Sequence, residues 1–275
     1  MNSERIYREF RDEALARQIT ASEYTTFVAM PFSDRYSYRS REIFDRVIGA
    51  AITRANEIRR DKRQFAPPRR ADDLPGVAGD IADEIATQIL ESHIFLGDLT
   101  FENPGVLVEV GVAMAFKPTS QIVLITQDPL DRLHFDIRNN RVIQYNTGEA
   151  VEKIAAALAS GVAAFESDVR RFIDSLSRRL TSDAICCLNF YGRLVRDNPT
   201  SKPSLHSGIV KYLFKNEEDA SLRFREASRE LLQNRLLWTD YQVGAIEGGD
   251  AFGMHATELG WVFIETMWED LRRPR

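Results

Sequence analysis

Residues 93–126 contain two apolar segments of strand length on either side of one apolar segment of helix length. The first strand-like segment, residues 93–99, carries Asp98 near its end. The second, residues 121–126 (QIVLIT), is almost continuously apolar, which is typical of a strand buried on both faces of a parallel sheet. A strand, a helix and a strand in this order predict a βαβ unit.

The same alternation continues along the chain. Strand-like runs occur at residues 24–30, 63–67 and 141–145, and helical spacing of apolar residues occurs at residues 4–18, 40–58, 77–92 and 149–158. The sequence therefore predicts an α/β fold with a doubly wound, parallel, five-stranded sheet. The predicted divisions are an N-terminal helix within residues 1–21, the sheet domain at residues 22–160 and a further domain at residues 161–275.

The last of these domains has a different pattern. Helical segments are predicted at residues 167–180, 183–195, 208–214 and 217–232, followed by a β-hairpin around Gly248-Gly249 and an apolar segment at residues 254–264. This order predicts a mostly helical, winged-helix-like domain. Residues 200–275 hold ten Lys and Arg against twelve Asp and Glu. We therefore favour homo-oligomer formation over nucleic-acid binding, which needs clustered basic residues; a DNA-binding regulator stays an alternative.

The composition excludes other classes of protein. The 275 residues carry a net charge of -5, and no run approaches the 18 or more apolar residues of a membrane span. The two cysteines are adjacent, and no Cys/His spacing suits zinc. The N-terminal 18 residues lack the apolar core of a secretion signal. These features predict a cytoplasmic protein with no membrane partner, no metal and no bound cofactor.

Two carboxylates stand out in the segment at residues 93–116. Glu109 lies in the predicted helix among apolar residues on every side, so it is either paired, desolvated for a purpose or placed at the floor of a cleft. Asp98 lies where the preceding strand ends, and open α/β sheets bind ligands at the carboxyl ends of their strands. Each has a plainer interpretation: Glu109 could pair with Arg70 or Arg138, and Asp98 could form a turn.

Several short motifs occur in a fixed order around these carboxylates. They are residues 27–32 (FVAMPF), 70–72 (RAD), 79–85 (GDIADEI), 97–100 (GDLT), Asn103-Pro104, 109–111 (EVG) and 135–138 (FDIR). Together they resemble the nucleoside 2-deoxyribosyltransferase-like group, a structural cousin of TIR domains, over residues 22–158. The resemblance implies a flavodoxin/TIR-like sheet and enzymes that cleave or exchange N-glycosidic bonds.

The resemblance also implies roles for individual residues. Glu109 would be the catalytic carboxylate, and Asp98 would hold the base or ribose or relay a proton. Breaking a sugar–base bond builds an oxocarbenium-like sugar, which a carboxylate can trap or stabilise. The remaining implied substrate-binding residues are Met30, Pro31, Phe32, Tyr36, Arg70, Asp72, Asn103 and Gly105. The helix N-terminus at residues 103–106 is a predicted anion site.

One position departs from the deoxyribosyltransferase pattern. Residues 27–32 contain no tyrosine to orient the nucleophile, and Tyr24, Tyr36 or Tyr38 could substitute. The leading prediction is an N-glycosidase that acts on a nucleotide, with NAD or a nucleoside monophosphate as substrate, in bacterial antiphage or stress defence. Hydrolysis, transfer and binding alone stay open, and the principal alternative is a non-catalytic nucleotide sensor.

Overall fold

A computed structural model describes residues 3–60, 63–71, 81–134, 137, 141–145, 149–197, 213–214, 218–239 and 254–266. The chain divides into two compact units, Thr20–Val169 and Met1–Ile19 with Arg170–Arg275. This division differs from the predicted one in two ways: the N-terminal helix clusters with the C-terminal residues, and the boundary lies at residues 169–170. The boundary falls inside one continuous helix, Ala150–Arg179, which the sequence pattern had divided into two.

The larger unit contains a five-stranded parallel sheet. Its strands are β1 (Thr26–Ala29), β2 (Arg69–Arg70), β3 (Ile94–Asp98), β4 (Ile122–Thr126) and β5 (Val142–Gln144). Their order across the sheet is β2-β1-β3-β4-β5, and every neighbouring pair is parallel. The predicted α/β fold with a five-stranded parallel sheet is therefore confirmed.

The second strand lies at a different place from the predicted one. A strand was expected at residues 63–67, but only Phe65 pairs there, as an isolated parallel bridge to Tyr24. Pro67 and Pro68 follow, and proline has no N–H to donate to a ladder. Regular pairing with β1 therefore begins at β2, beyond both prolines.

Helices cover both faces of the sheet. The helices of this unit are α2 (Ser40–Ile43), a π-helical stretch (Phe44–Gly49), α3 (Ala50–Arg59), α4 (Ile81–Glu91), α5 (Pro104–Phe116) and α6 (Ala150–Arg179), the last of which continues into the other unit. Side chains of α2, α3 and α6 bury one face of the sheet, and side chains of α4 and α5 bury the other. This two-sided burial explains why β3 and β4 are apolar up to their last residues, Asp98 and Thr126.

One glycine allows α5 to lie close against β3. A Cβ at Gly97 would lie 3.0 Å from a methyl group of Val110, which faces the sheet from α5. The absence of a side chain at Gly97 therefore brings α5 close to the end of β3. Asp98 and Glu109 are positioned by this pair of elements.

The smaller unit is mostly helical. It contains α1 (Ser3–Thr20), α7 (Ser182–Asp197), α8 (Ala220–Gln233), the antiparallel pair β6 (Leu237–Thr239) and β7 (Met254–Ala256), and α9 (Glu258–Thr266). The predicted hairpin tip at Gly248-Gly249 and residues 208–212 of the helix predicted at residues 208–214 lie outside the described residues. Within the part of the chain that the structure describes, no helix is long and apolar enough to cross a membrane.

Candidate functional site

The strand order locates the crevice in which a ligand of this sheet would bind. In a parallel sheet ordered β2-β1-β3-β4-β5, the direction of winding reverses between β1 and β3. Ligands of open α/β sheets bind at such a reversal, outside the carboxyl ends of the strands. Met30 follows β1 and Asp98 ends β3, so two of the predicted site residues lie at this point.

Asp98 lies at the centre of a buried hydrogen-bond network. Its side chain is fully buried. Oδ2 accepts from the hydroxyls of Tyr38 (2.9 Å) and Tyr145 (2.8 Å). Oδ1 accepts from the Thr100 hydroxyl (2.6 Å) and the Thr100 backbone N–H (3.1 Å). A carboxylate offers about four acceptor positions, so these protein donors occupy all of them.

The protonation of this network follows from its burial. Burial raises the pKa of Asp98, and the hydrogen bonds from Thr100, Tyr145 and Tyr38 oppose that rise because they favour the ionised carboxylate. Burial also raises the pKa of both Tyr38 and Tyr145, and the neighbouring Asp98 charge adds to each rise. Both phenols therefore stay protonated and act as donors to Asp98.

Of the three tyrosines considered as substitutes for the missing first-strand tyrosine, Tyr38 bonds Asp98 rather than the predicted nucleophile, Glu109. Tyr38 is completely buried. Tyr24 instead lies at the opposite end of β1, where its hydroxyl donates to Glu166. Tyr145 was predicted only as a strand residue; its place in the network comes from the pairing of β5 with β4 beside β3.

Glu109 lies in the second turn of α5 and is half-buried. Burial raises its pKa from 4.5 to about 7. Among the described residues it has no hydrogen-bond or ion-pair partner, so Arg70 does not compensate its charge; Arg138 lies outside that part of the chain. Glu109 is thus a desolvated carboxylate that titrates near neutral pH, which is a common feature of catalytic acids and bases.

The N-terminus of α5 was predicted to bind an anion, and its geometry argues against this. Asn103 is the N-cap, and its Oδ1 accepts from the backbone N–H groups of Gly105 (3.0 Å) and Val106 (3.3 Å). Pro104 has no N–H to offer. The first-turn donors are therefore already satisfied by the cap, and Asn103 and Gly105 have a structural account that requires no ligand.

Pro31, Phe32 and Arg70 are brought together beside the crevice. The Arg70 side chain is buried and donates from Nη1 to Ser40 Oγ (3.3 Å), which in turn donates to the Pro31 carbonyl (2.7 Å). The guanidinium lies 5.0 Å from the Phe32 ring centroid, and Phe32 is 56% exposed. Met30 is buried in the core, and Asp72 lies outside the described residues.

An aromatic cluster covers the Asp98 network. The ring of Phe101 packs against those of Tyr38 (5.7 Å between centroids) and Tyr36 (6.0 Å). The guanidinium of Arg35 lies 5.3 Å from both the Tyr36 and the Phe101 ring centroids. Tyr36 itself is 78% exposed, so it presents an aromatic surface to solvent next to the crevice.

The backbone is strained on both sides of this cluster. Tyr36 (φ 53°), Phe101 (φ 65°) and Glu102 (φ 44°) adopt left-handed conformations that side chains disfavour. The Phe101 N–H donates to Asp128 Oδ2 (2.6 Å), and Glu102 Oε1 accepts from the His134 N–H (2.6 Å). Surrounding contacts thus hold these residues in place, and such strain often occurs at functional sites.

A separate cavity of about 1020 Å³ lies away from the crevice. It is lined by residues of β4, β5 and α6, with Arg141 and Lys153 among its polar residues. None of the predicted site residues lines it. We place the candidate site at the crevice rather than in this cavity because the buried Asp98 carboxyl group, the strained backbone and the winding reversal coincide there.

Within the described residues, no cluster of three or more His, Cys, Asp and Glu side chains could hold a metal ion. Comparisons with protein-family models, with curated proteins and with solved structures found no match.

Proposed function

We propose that the chain is an N-glycosidase that cleaves the bond between the base and the ribose of a nucleotide, either NAD or a nucleoside monophosphate. The observation that carries this proposal is Glu109, a half-buried carboxylate without a described partner and with a pKa of about 7. The resemblance of residues 22–158 to the nucleoside 2-deoxyribosyltransferase-like group and to TIR domains supports the same reaction.

Glu109 would act on the sugar in its ionised form. Loss of the base leaves positive charge on C1′ and the ring oxygen of the ribose, and a carboxylate stabilises this charge directly or bonds to C1′. In a desolvated position, that stabilisation is stronger than it would be in water. Water then attacks C1′, displaces the carboxylate where it has bonded there, and loses one proton. That proton is taken up by the departing base of a nucleoside monophosphate, or passes to solvent when neutral nicotinamide leaves NAD, so the products are the free base and the ribose portion of the nucleotide.

Asp98 would position other groups rather than move a proton. Each of its acceptor positions already receives a protein donor, from Tyr38, Tyr145 and Thr100. We propose that it fixes the loop that follows β1 and the end of β5 against the end of β3. This role replaces the direct contact with base or ribose that the sequence suggested.

Base release is the direct test. The purified protein is incubated with NAD and a panel of nucleoside monophosphates, and free base is measured by chromatography. Wild type is expected to release base, and Glu109→Gln to lose at least about 100-fold in rate. Glu84→Gln, which alters another half-buried helical glutamate, is the matched control and should keep the wild-type rate.

A non-catalytic nucleotide sensor is the alternative, and the saturated Asp98 network favours it because the second predicted catalytic group is occupied. If wild type releases no base but a nucleotide raises its melting temperature, the sensor is correct and the enzyme proposal is wrong. The melting temperature of Glu109→Gln with the same nucleotide then shows whether Glu109 contributes to binding.

For the smaller unit we propose a winged-helix-like module that serves homo-oligomer formation. Its support is the order of α8, the β6–β7 pair and α9 along the chain. A DNA-binding role predicts salt-sensitive binding to duplex DNA that is lost when residues 200–275 are deleted. Absence of duplex binding at low salt, together with a concentration-dependent oligomer, would support the module as an assembly element.

A further inference from the structure

Within the part of the chain that the structure describes, the loop that follows β1 presents one arginine, Arg35, that no acid engages. Arg39 lies near Asp34 and donates to the carbonyls of Tyr36 (2.8 Å) and Tyr38 (3.3 Å), so it holds the loop in shape. Arg41 pairs with Asp45 (2.9 Å) and Arg46 with Glu42 (3.0 Å). Among the described residues, Arg35 forms no ion pair with a carboxylate, and it is exposed.

Arg35 is nevertheless held in a defined place. Its backbone exchanges two hydrogen bonds with Tyr38, N–H to carbonyl in each direction (3.2 and 2.9 Å), which closes a tight turn around Tyr36. Its guanidinium lies beside the rings of Tyr36 and Phe101. Such cation–π contacts fix the plane of the guanidinium while they leave its N–H groups available.

This arrangement connects Arg35 to the crevice through one layer of side chains. The Phe101 ring that it contacts also packs on Tyr38, and the Tyr38 hydroxyl bonds Asp98. Tyr36 offers an exposed ring in the same cluster, suited to stacking on a nucleobase. A pre-oriented guanidinium without an acid partner is the group that binds phosphate best, through paired N–H···O bonds.

We infer that Arg35 binds the phosphate of a nucleotide at this crevice and thereby selects nucleotides over nucleosides. The inference rests on the proposed function and names the substrate class of the same site. Arg35 was not among the residues that the sequence indicated. The nearby acids pair instead with Arg39 in the loop and with Arg41 and Arg46 in the helices that follow, and the sequence does not show this pairing.

Calorimetric titration with matched ligands tests the inference. The probes are AMP against adenosine and nicotinamide mononucleotide against nicotinamide riboside, titrated into the full chain. Wild type is expected to bind at least one monophosphate about tenfold or more tightly than its nucleoside. Arg35→Gln should remove most of that ratio without changing the nucleoside affinity, and Arg35→Lys should keep part of it because the charge remains.

Arg41→Gln is the matched control, since Arg41 is an exposed arginine of the same region with an acid partner, and it should leave the ratio unchanged. The inference is overturned if wild type binds nucleoside and nucleotide equally, or if Arg35→Gln keeps the wild-type ratio. In both cases Glu109-dependent base release would still support the glycosidase. If no probe binds and no base is released, the proposed function and the inference fail together.

Discussion

The hydroxyl of Tyr38 donates to the buried carboxylate of Asp98 at 2.9 Å, and the hydroxyl of Tyr145 donates to the same oxygen at 2.8 Å. This pairing joins the loop that follows β1, the end of β3 and the residue that follows β5. Because the carboxyl group is completely buried, each donor that it loses leaves a buried acceptor oxygen less satisfied.

We expect Tyr38→Phe and Tyr145→Phe each to lower the free energy of unfolding by about 1–2 kcal/mol. The two tyrosines share one oxygen, so the first loss leaves it with one donor and the second leaves it with none. The double variant should therefore cost more than the sum of the single variants, by about 0.5 kcal/mol or more. Denaturant unfolding of the four proteins measures this coupling.

Tyr36→Phe is the control for that cycle, because its hydroxyl is on an exposed side chain. It should leave the free energy of unfolding within about 0.5 kcal/mol of wild type. Strict additivity of Tyr38→Phe and Tyr145→Phe would contradict a shared carboxylate oxygen.

The sequence allowed some parts of this site to be predicted and not others. Asp98 and Glu109 were identified because each stands out within its own segment: one at the end of an apolar strand, the other inside an apolar helix. The network around Asp98 could not be predicted, since Tyr38 is 60 residues away and Tyr145 is 47 residues away. Their meeting depends on the order of the strands, which no local pattern contains.

Errors in the fold have equally local causes. The strand predicted at residues 63–67 ends on a proline, and Pro67 with Pro68 delays regular pairing until Arg69. Residues 158–167 contain no proline, so α6 continues where the pattern suggested an end and crosses the predicted domain boundary. In both cases the backbone chemistry of a few residues decided where an element begins or ends.

The raised pKa of Glu109 means that the protein should lose stability as the pH rises through the neutral range. Its pKa rises from 4.5 to about 7 on folding, so the folded chain holds a proton that the unfolded chain releases between these pH values. Its contribution to stability therefore falls as the pH rises from 4.5 to 7. Glu109→Gln should stabilise the protein at pH 8 by about 1–2 kcal/mol, after allowance for its partial exposure, and have a smaller effect at pH 5.

Thermal unfolding of wild type and Glu109→Gln at both pH values provides the measurement. Glu84→Gln serves again as the control for the loss of a half-buried helical glutamate. A Glu109→Gln variant that is equally destabilised at both values would indicate that Glu109 has a stabilising partner. A stabilised and inactive variant would be typical of a residue kept for function at the expense of stability.

For Lys117 we expect the opposite trend from Glu109: its contribution to folding stability should rise with pH, and over a more alkaline range. Its buried amino group donates to the carbonyls of Ser92 (2.5 Å) and Leu90 (3.5 Å) at the end of α4, and burial lowers its pKa from 10.5 to about 7. The unfolded chain holds the extra proton between pH 7 and 10.5, so the contribution of Lys117 to stability rises with pH over this range.

As the pH rises from 7 to 10, the wild type should therefore gain unfolding free energy relative to Lys117→Met, which lacks the titrating amino group. We expect a change of about 2 kcal/mol or more, measured by denaturant unfolding at the two pH values. Lys153→Met is the control, because Lys153 is exposed and pairs with Glu149. A difference that is constant with pH would mean that Lys117 stays charged in the folded chain.

Two helical glycines predict opposite effects of the same substitution. A Cβ at Gly161 in α6 would lie 2.7 Å from Ile94 Cδ1 and 2.9 Å from the Ser120 carbonyl oxygen, so α6 would have to move away from the sheet. A Cβ at Gly111 in α5 would meet nothing within 4 Å. Gly161→Ala should destabilise the protein by about 1–3 kcal/mol, as overpacking does.

Gly111→Ala should instead stabilise it by about 0.5–1 kcal/mol, because alanine favours the helical conformation. Denaturant unfolding of both variants measures the contrast, and each serves as the control for the other. Base release by Gly111→Ala adds a further test, since the substituted position lies two residues after Glu109. Full activity in the stabilised variant would show that Gly111 is not needed for substrate access, whereas a stable but inactive variant would place the ligand directly over this part of α5.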